Sequence, residues 1–242
     1  MRPVRRGASP IAGDYIKYDD AKPALVSRLG GYCSYCERRI ATMLAVEHIQ
    51  SKDRNPALRN RWENFLLACV NCNSTKDEKV GDEAAVLLPD RDNTFAAYQY
   101  LPDGTVSPAN GVAVAAATAG RRLLEMVGLE KVPLAVLDEQ GRAVALERFA
   151  QRMEVWGCAE ISRVDVDAEP LNEALKAAVV RTAVYSGYFS VWMTVFAGNT
   201  EMRNRLIDAF PGTRASGCFD PATGGVVTPA PNPDGLPHGG KI

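Results

Sequence analysis

Cys33 and Cys36, in Tyr-Cys-Ser-Tyr-Cys-Glu, and Cys69 and Cys72, in Ala-Cys-Val-Asn-Cys-Asn, form two Cys-x2-Cys pairs with 32 residues between them. Each pair lets two sulfurs reach one ion with little backbone strain, and two pairs supply the four thiolates of a tetrahedral zinc site. Four thiolates leave no open position for water, so the expected role of this zinc is structural. Between the pairs stands Glu47-His48, and the only other histidine in 242 residues is His238. Chemistry here would need a second ion. The carboxylate of Glu47 and the amide oxygen of Asn73 are hard ligands suited to Mg²⁺ or Mn²⁺, and a neutral His48 imidazole can take a proton from water. A Glu-His pair on a strand is ordinarily surface decoration. Its place between two metal knuckles argues for metal-assisted hydrolysis instead.

These residues need elements to hold them. The segment Pro23–Leu29 reads as a short helix stopped by Gly30-Gly31. Met43 to Ile49 is apolar and β-compatible, which places Glu47 and His48 on or at the end of a strand. The apolar run Phe65-Leu66-Leu67 leads into the second knuckle and can pack beneath the metal. Residues 88–108 read as irregular, with a hairpin around Asp103-Gly104. Helical patterns follow near 112–128, 141–157, 170–187 and 188–208, with Pro170 in the first turn of the third. Pro221 to Ile242 is rich in Gly and Pro and is expected to be mobile. The fold class is α+β. It divides into a basic N-terminal arm (1–22), a metal module (23–85), a mostly helical region for packing or partner docking (86–215) and a Gly/Pro-rich tail (216–242).

Composition sets limits. Hydrophobic residues make up 46% and charged residues 24%, which permits a packed core, and the net charge of −1 lacks the overall basicity of many nucleic-acid binders. Positive charge is local: Arg38 and Arg39 after the first knuckle, then Lys52, Arg54, Arg59 and Arg61 after the histidine. Arg2, Arg5 and Arg6 lie on the arm, and Lys76 stands within reach of a phosphate near the metal. Such contacts track phosphates without reading sequence. Cys158 and Cys218 read as buried or inert thiols, and Trp62 as core behind the zinc in preference to a base-stacking ring. The cysteine usage fits metal-bound thiolates in a reducing cytoplasm. Thr182 to Ala197 is too short to span a membrane and reads as a buried core helix.

The motifs Glu47-His48-Ile49, Asn64-Phe65-Leu66-Leu67-Ala68-Cys69 and Cys72-Asn73-Ser74-Thr75-Lys76 resemble the HNH nucleases, in their four-cysteine zinc subgroup. The resemblance implies a ββα-metal, treble-clef-like finger that hydrolyses phosphodiester bonds, followed here by the helical region. His48 would be the general base, and Glu47 the acidic metal ligand, where the family usually has Asp. Asn73 would be the second metal ligand in place of the final His, and Asn64 the residue that ties the finger's loop. Cys33, Cys36, Cys69 and Cys72 would hold structural zinc, and Mg²⁺ or Mn²⁺ would be the hydrolytic ion. A wider set resembles the HNH subunits of bacterial antiphage systems of the Septu and retron-associated kind: Cys-x-Tyr-Cys-Glu, Val-Glu-His-Ile, Asp92-Asn93-x-Phe95, Asp103-Gly104 and the ending Phe210-Pro-Gly-Thr with Cys218-Phe219-Asp220. That resemblance implies an ABC/SMC-like ATPase partner. DNA is the expected substrate, with RNA as an alternative. The competing reading is a catalytically silent zinc module that binds nucleic acid or protein.

Overall fold

The computed structural model describes residues 1–76, 82–130, 139–140 and 147–242. Helix α1 (Lys22–Leu29) follows a single 3-10 turn at Tyr18–Ala21 and stops where Gly30 takes a φ of 74°. Strand β1 (Ala45–His48) pairs antiparallel with β2 (Phe65–Ala68), with Glu47 opposite Leu66 and His48 opposite Phe65. All four β2 residues are buried, which explains an unbroken apolar run where a half-exposed strand would alternate. Helix α2 (Val70–Lys76) leaves β2 directly and packs back on β1. The core around this unit gathers Leu25, Tyr35, Trp62, Phe65 and Leu67 with Leu123 and Val127 of α4 (Val114–Val127). Trp62 is core as expected, its indole N–H donating to Gly7 O at 2.7 Å.

A short helix α3 (Thr94–Ala97), capped by the Asn93 side chain on Ala96 N, leads into the hairpin of β3 (Tyr98–Tyr100) and β4 (Val106–Pro108). The remaining helices are α5 (Arg148–Ala168), α6 (Glu173–Ser186), α7 (Phe189–Val195) and α8 (Thr200–Ala209). They enclose a second core of Phe189, Trp192, Phe196, Met202, Leu206 and Phe210. The helix expected near 141–157 instead runs from Arg148 to Ala168, and 141–146 fall outside the described residues. The helix expected at 188–208 is two helices. The Asn199 side chain accepts from Met202 N and starts α8 afresh. Likewise Asn172, not Pro170, sets the start of α6 by accepting from Leu175 N. The run expected to be one buried core helix, Thr182 to Ala197, is broken at Gly187 and leaves Tyr185 exposed.

Gly187 joins the helical half to the first knuckle. Its backbone pairs with Arg38, and Tyr188 N donates to Glu37 O at 2.9 Å. With φ at 76°, a Cβ here would sit 2.6 Å from Arg39 N and 2.7 Å from Glu37 O, so only glycine fits.

Two terminal expectations are corrected. The arm's arginines mostly face inward. Arg2 donates to Leu29 O, Pro211 O and Thr213, and Arg6 donates to Phe65 O and Glu63 O and pairs with Asp90 at 3.0 Å. Arg6 thereby anchors the start of β2 from behind. Burial alone would raise the Asp90 carboxyl, but Arg6 and Arg91 outweigh it and hold it below the ordinary carboxylate range. The Gly/Pro-rich tail is built in: Asn93 Nδ2 donates to Cys218 O and Val227 O, Ala230 N to Ile242 O, and Gly240 N to Arg91 O, all at 2.8–2.9 Å. Cys218 is buried as expected, whereas Cys158 is exposed on α5. Among the described residues, no helix is long and apolar enough to cross a membrane.

Candidate metal centre and cleft

The four sulfurs of Cys33, Cys36, Cys69 and Cys72 are buried and lie within 4.8 Å of one another, with Cys36 Sγ 3.8 Å from Cys69 Sγ. Tetrahedral zinc with Zn–S bonds of about 2.3 Å requires sulfurs roughly 3.8 Å apart, so the set fits one such ion. Among the described residues it is the one group of three or more Cys, His, Asp or Glu side chains close enough to share a metal. Cys33 and Cys36 come from the turn before β1, while Cys69 and Cys72 span the β2–α2 junction. Hydrogen bonds from Cys33, Cys36 and Cys72 pull the Cys69 thiol far down, and burial pushes Cys36 up.

One donor to this cluster had no sequence signal. Arg148, the first residue of α5, donates Nη1 to Cys72 Sγ at 3.0 Å and to Val127 O at 2.8 Å, and Nη2 to Gly128 O at 2.9 Å. The guanidinium faces a thiolate and the carbonyl end of α4 together, both of which favour a cation. Seventy-six residues separate it from Cys72.

Beside the cluster opens a cleft of about 570 Å³ lined by Glu47, His48 and Asn73, with Tyr18, Lys22 and Lys52. The β1 register presents Glu47 and His48, and the exposed first turns of α2 bring Asn73 to the same space. Asn64 does not line the cleft. Its Oδ1 accepts from Gln50 N at 2.8 Å, and its Nδ2 donates to Gln50 O at 2.9 Å and Leu58 O at 3.2 Å. These bonds close the loop between β1 and β2.

His48 is 8% exposed, its ring held edge-on by Tyr18 at 4.8 Å and Phe65 at 5.3 Å. Its Nε2 lies 2.8 Å from Arg59 O. A carbonyl oxygen only accepts, so Nε2 carries the proton and Nδ1 holds the lone pair. Burial lowers the imidazole pKa, the Arg59 carbonyl opposes this, and the Lys52 and Lys76 charges lower it further. The ring is thus neutral at pH 7 and competent as a base. Glu47 is 1% exposed. Burial pushes its carboxyl up against the pull of Lys76, whose Nζ lies 2.6 Å from Oε1. Tyr35 OH donates to the same oxygen at 3.3 Å.

The cationic residues separate by position. Lys52 lines the cleft, its Nζ 3.4 Å from Tyr18 OH and 4.8 Å from that ring's centre. Arg54, Arg59 and Arg61 are exposed on the β1–β2 loop, with Arg61 3.8 Å from Asp14. Arg38 and Arg39 line a different groove, of about 500 Å³, where Arg39 lies over the Tyr185 ring at 4.6 Å. Lys76 also lines the cleft but departs from expectation, its ammonium being held on Glu47 and His48 O. Tyr18, Lys22, Tyr35 and Arg148 are site residues that sequence reasoning missed. Tyr35 alone had a local cue, its place between two zinc cysteines.

Residues 33–79 match the family model described as HNH endonuclease, a stretch that contains both cysteine pairs, Glu47, His48, Asn64 and Asn73. No curated protein matches the chain.

Proposed function

We propose that this protein is a metal-dependent endonuclease whose ββα unit of β1, β2 and α2 hydrolyses phosphodiester bonds. The carrying observation is His48 with Nε2 fixed on Arg59 O, so that its basic Nδ1 belongs to a cleft shared with Glu47 and Asn73. Zinc on the four cysteines is structural, since no ligand position is left for water. Glu47 and Asn73 would hold the second ion through one carboxylate and one amide oxygen, a small hard-ligand set typical of Mg²⁺ or Mn²⁺. When bound, that ion supplies charge to the phosphate oxygens and to the departing oxygen. His48 Nδ1 takes a proton from water as its oxygen bonds to phosphorus. The phosphorus–ester oxygen bond opposite then breaks, and the leaving oxygen gains a proton from solvent. Phe65 and Tyr18 keep the imidazole aimed throughout.

The test is a cleavage panel of plasmid, single- and double-stranded DNA oligonucleotides and RNA. Cleavage of DNA with Mg²⁺ or Mn²⁺ and none with EDTA is expected, and loss of at least a hundredfold on Glu47→Ala. Zinc-loaded protein that cuts nothing in the panel would sink the reading in favour of a binding module.

The same reading extends to an effector nuclease of an antiphage system acting with an ABC/SMC-like ATPase. Its support is the wider sequence resemblance together with the nearly neutral charge, which favours delivery to nucleic acid by a partner. Co-purification with an ATPase of that kind from the native host is the expected result. A lone monomer with full activity overturns it.

A further inference from the structure

Lys76 is the last described residue of α2 and is 2% exposed. A buried ammonium persists only where its donors are met. Here one Nζ meets two consecutive residues of β1: it lies 2.6 Å from Glu47 Oε1 and donates to His48 O at 2.7 Å. Asn73 stands three residues earlier, and residues so spaced share a helix face. The same helix therefore carries both the cleft amide and the ammonium that fastens it to β1. Tyr35, between Cys33 and Cys36, adds its hydroxyl to Oε1 at 3.3 Å. Both contacts converge on one oxygen, which fixes the rotation of the carboxylate and leaves Oε2 to serve a cation. A phosphate contact is a poor fit, because an ammonium has three donors and two are engaged inside the protein.

We propose that Lys76, assisted by Tyr35, is a positioning residue that clamps the Glu47 carboxylate and the β1 backbone so that Glu47 and Asn73 can hold one ion beside the His48 base. The proposal rests on the nuclease reading for what the ion does, and on the contacts above for the clamp. It also links the two metals physically, since the zinc knuckle that carries Tyr35 reaches the hydrolytic carboxylate.

The experiment compares zinc-loaded wild type with Lys76→Met and Tyr35→Phe. Mn²⁺ affinity is measured by calorimetry without nucleic acid, and cleavage kinetics are measured at saturating Mn²⁺. Outer partners of metal ligands typically change affinity or activity about 10–100-fold. Lys76→Met is expected to weaken Mn²⁺ binding within that range and to lower kcat, with the oligonucleotide KM and its salt dependence unchanged. Tyr35→Phe should weaken Mn²⁺ binding several-fold with zinc retained. Unchanged or tighter Mn²⁺ binding in Lys76→Met overturns the clamp. So does a raised KM with a salt slope reduced by about 0.9, the mark of a lost phosphate contact. Should Lys76→Met lose zinc or helical ellipticity, Tyr35→Phe decides, and an unaltered Mn²⁺ affinity there overturns it. Wild type that binds Mn²⁺ yet cleaves nothing defeats the nuclease reading alone, because the titration still reports on the clamp.

Discussion

His48→Ala is expected to slow metal-dependent cleavage about a thousandfold, within the 10²–10⁴ that a positioned general base contributes. The imidazole lines the cleft with Nε2 pinned by Arg59 O and Nδ1 carrying the lone pair, and burial lowers its pKa. Alanine removes that lone pair and a ring packed between Tyr18 and Phe65. The four cysteines and the Glu47–Lys76 pair are left in place. Zinc content and nucleic-acid affinity should therefore match wild type while the single-turnover rate collapses. A His48→Ala protein that cleaves at the wild-type rate would remove this cleft from the chemistry, whatever else the preparation contains. A fall in zinc content alongside the rate would mean the substitution had damaged the module, and His48→Asn would then be the fairer variant. Its shorter polar side chain occupies part of the ring's space without offering a comparable base.

What could be read in the sequence follows from how local each signal is. Two Cys-x2-Cys turns declare a metal site because the ligand geometry is set within four residues. Glu47 and His48 fell on a strand as their apolar neighbours suggested. Asn64 bonds both backbone groups of Gln50 across the β1–β2 loop. The Asn199 and Asn172 caps were present in the sequence as ordinary helix-start signals. Overlooking them merged two helices into one and displaced the start of another. The failures of another kind concern charge. Arg2, Arg6 and Lys76 read as surface cations, yet each is buried on carbonyls and carboxylates contributed from elsewhere in the fold. Nothing within ten residues of Arg6 announces Asp90, and nothing near Cys72 announces Arg148. A cation's partner is a tertiary fact, whereas a ligand pair two residues apart is a local one. This asymmetry explains why the metal-binding residues were legible and their supports were not.

Cys72→Ser is expected to release zinc and unfold more than the finger. A structural zinc contributes about 10–16 kcal/mol of apparent binding energy in small modules, while a whole domain is stable by only about 5–15 kcal/mol. Losing one thiolate of four therefore removes an amount comparable to the entire margin. The unit has little to replace it: β1 and β2 are four residues each, a strand pair that does not hold in water without tertiary support. The damage should also travel outward. Cys72 Sγ receives the Arg148 guanidinium that also binds the last carbonyls of α4, so a vacated site leaves a cation facing a neutral hydroxyl at the α4–α5 junction. Cys33→Ser breaks the same tetrahedron without touching that donor. Both variants should lose zinc by elemental analysis and lose the thermal transition of the finger. Cys72→Ser should in addition show the larger loss of helical ellipticity, because α4 and α5 lose their shared anchor. Retained ellipticity and a wild-type melting transition in zinc-free Cys72→Ser would show that hydrophobic packing beneath the knuckles, through Phe65, Leu67 and Tyr35, suffices alone. Equal helical losses in the two variants would show that Arg148 transmits nothing from the metal to the helices.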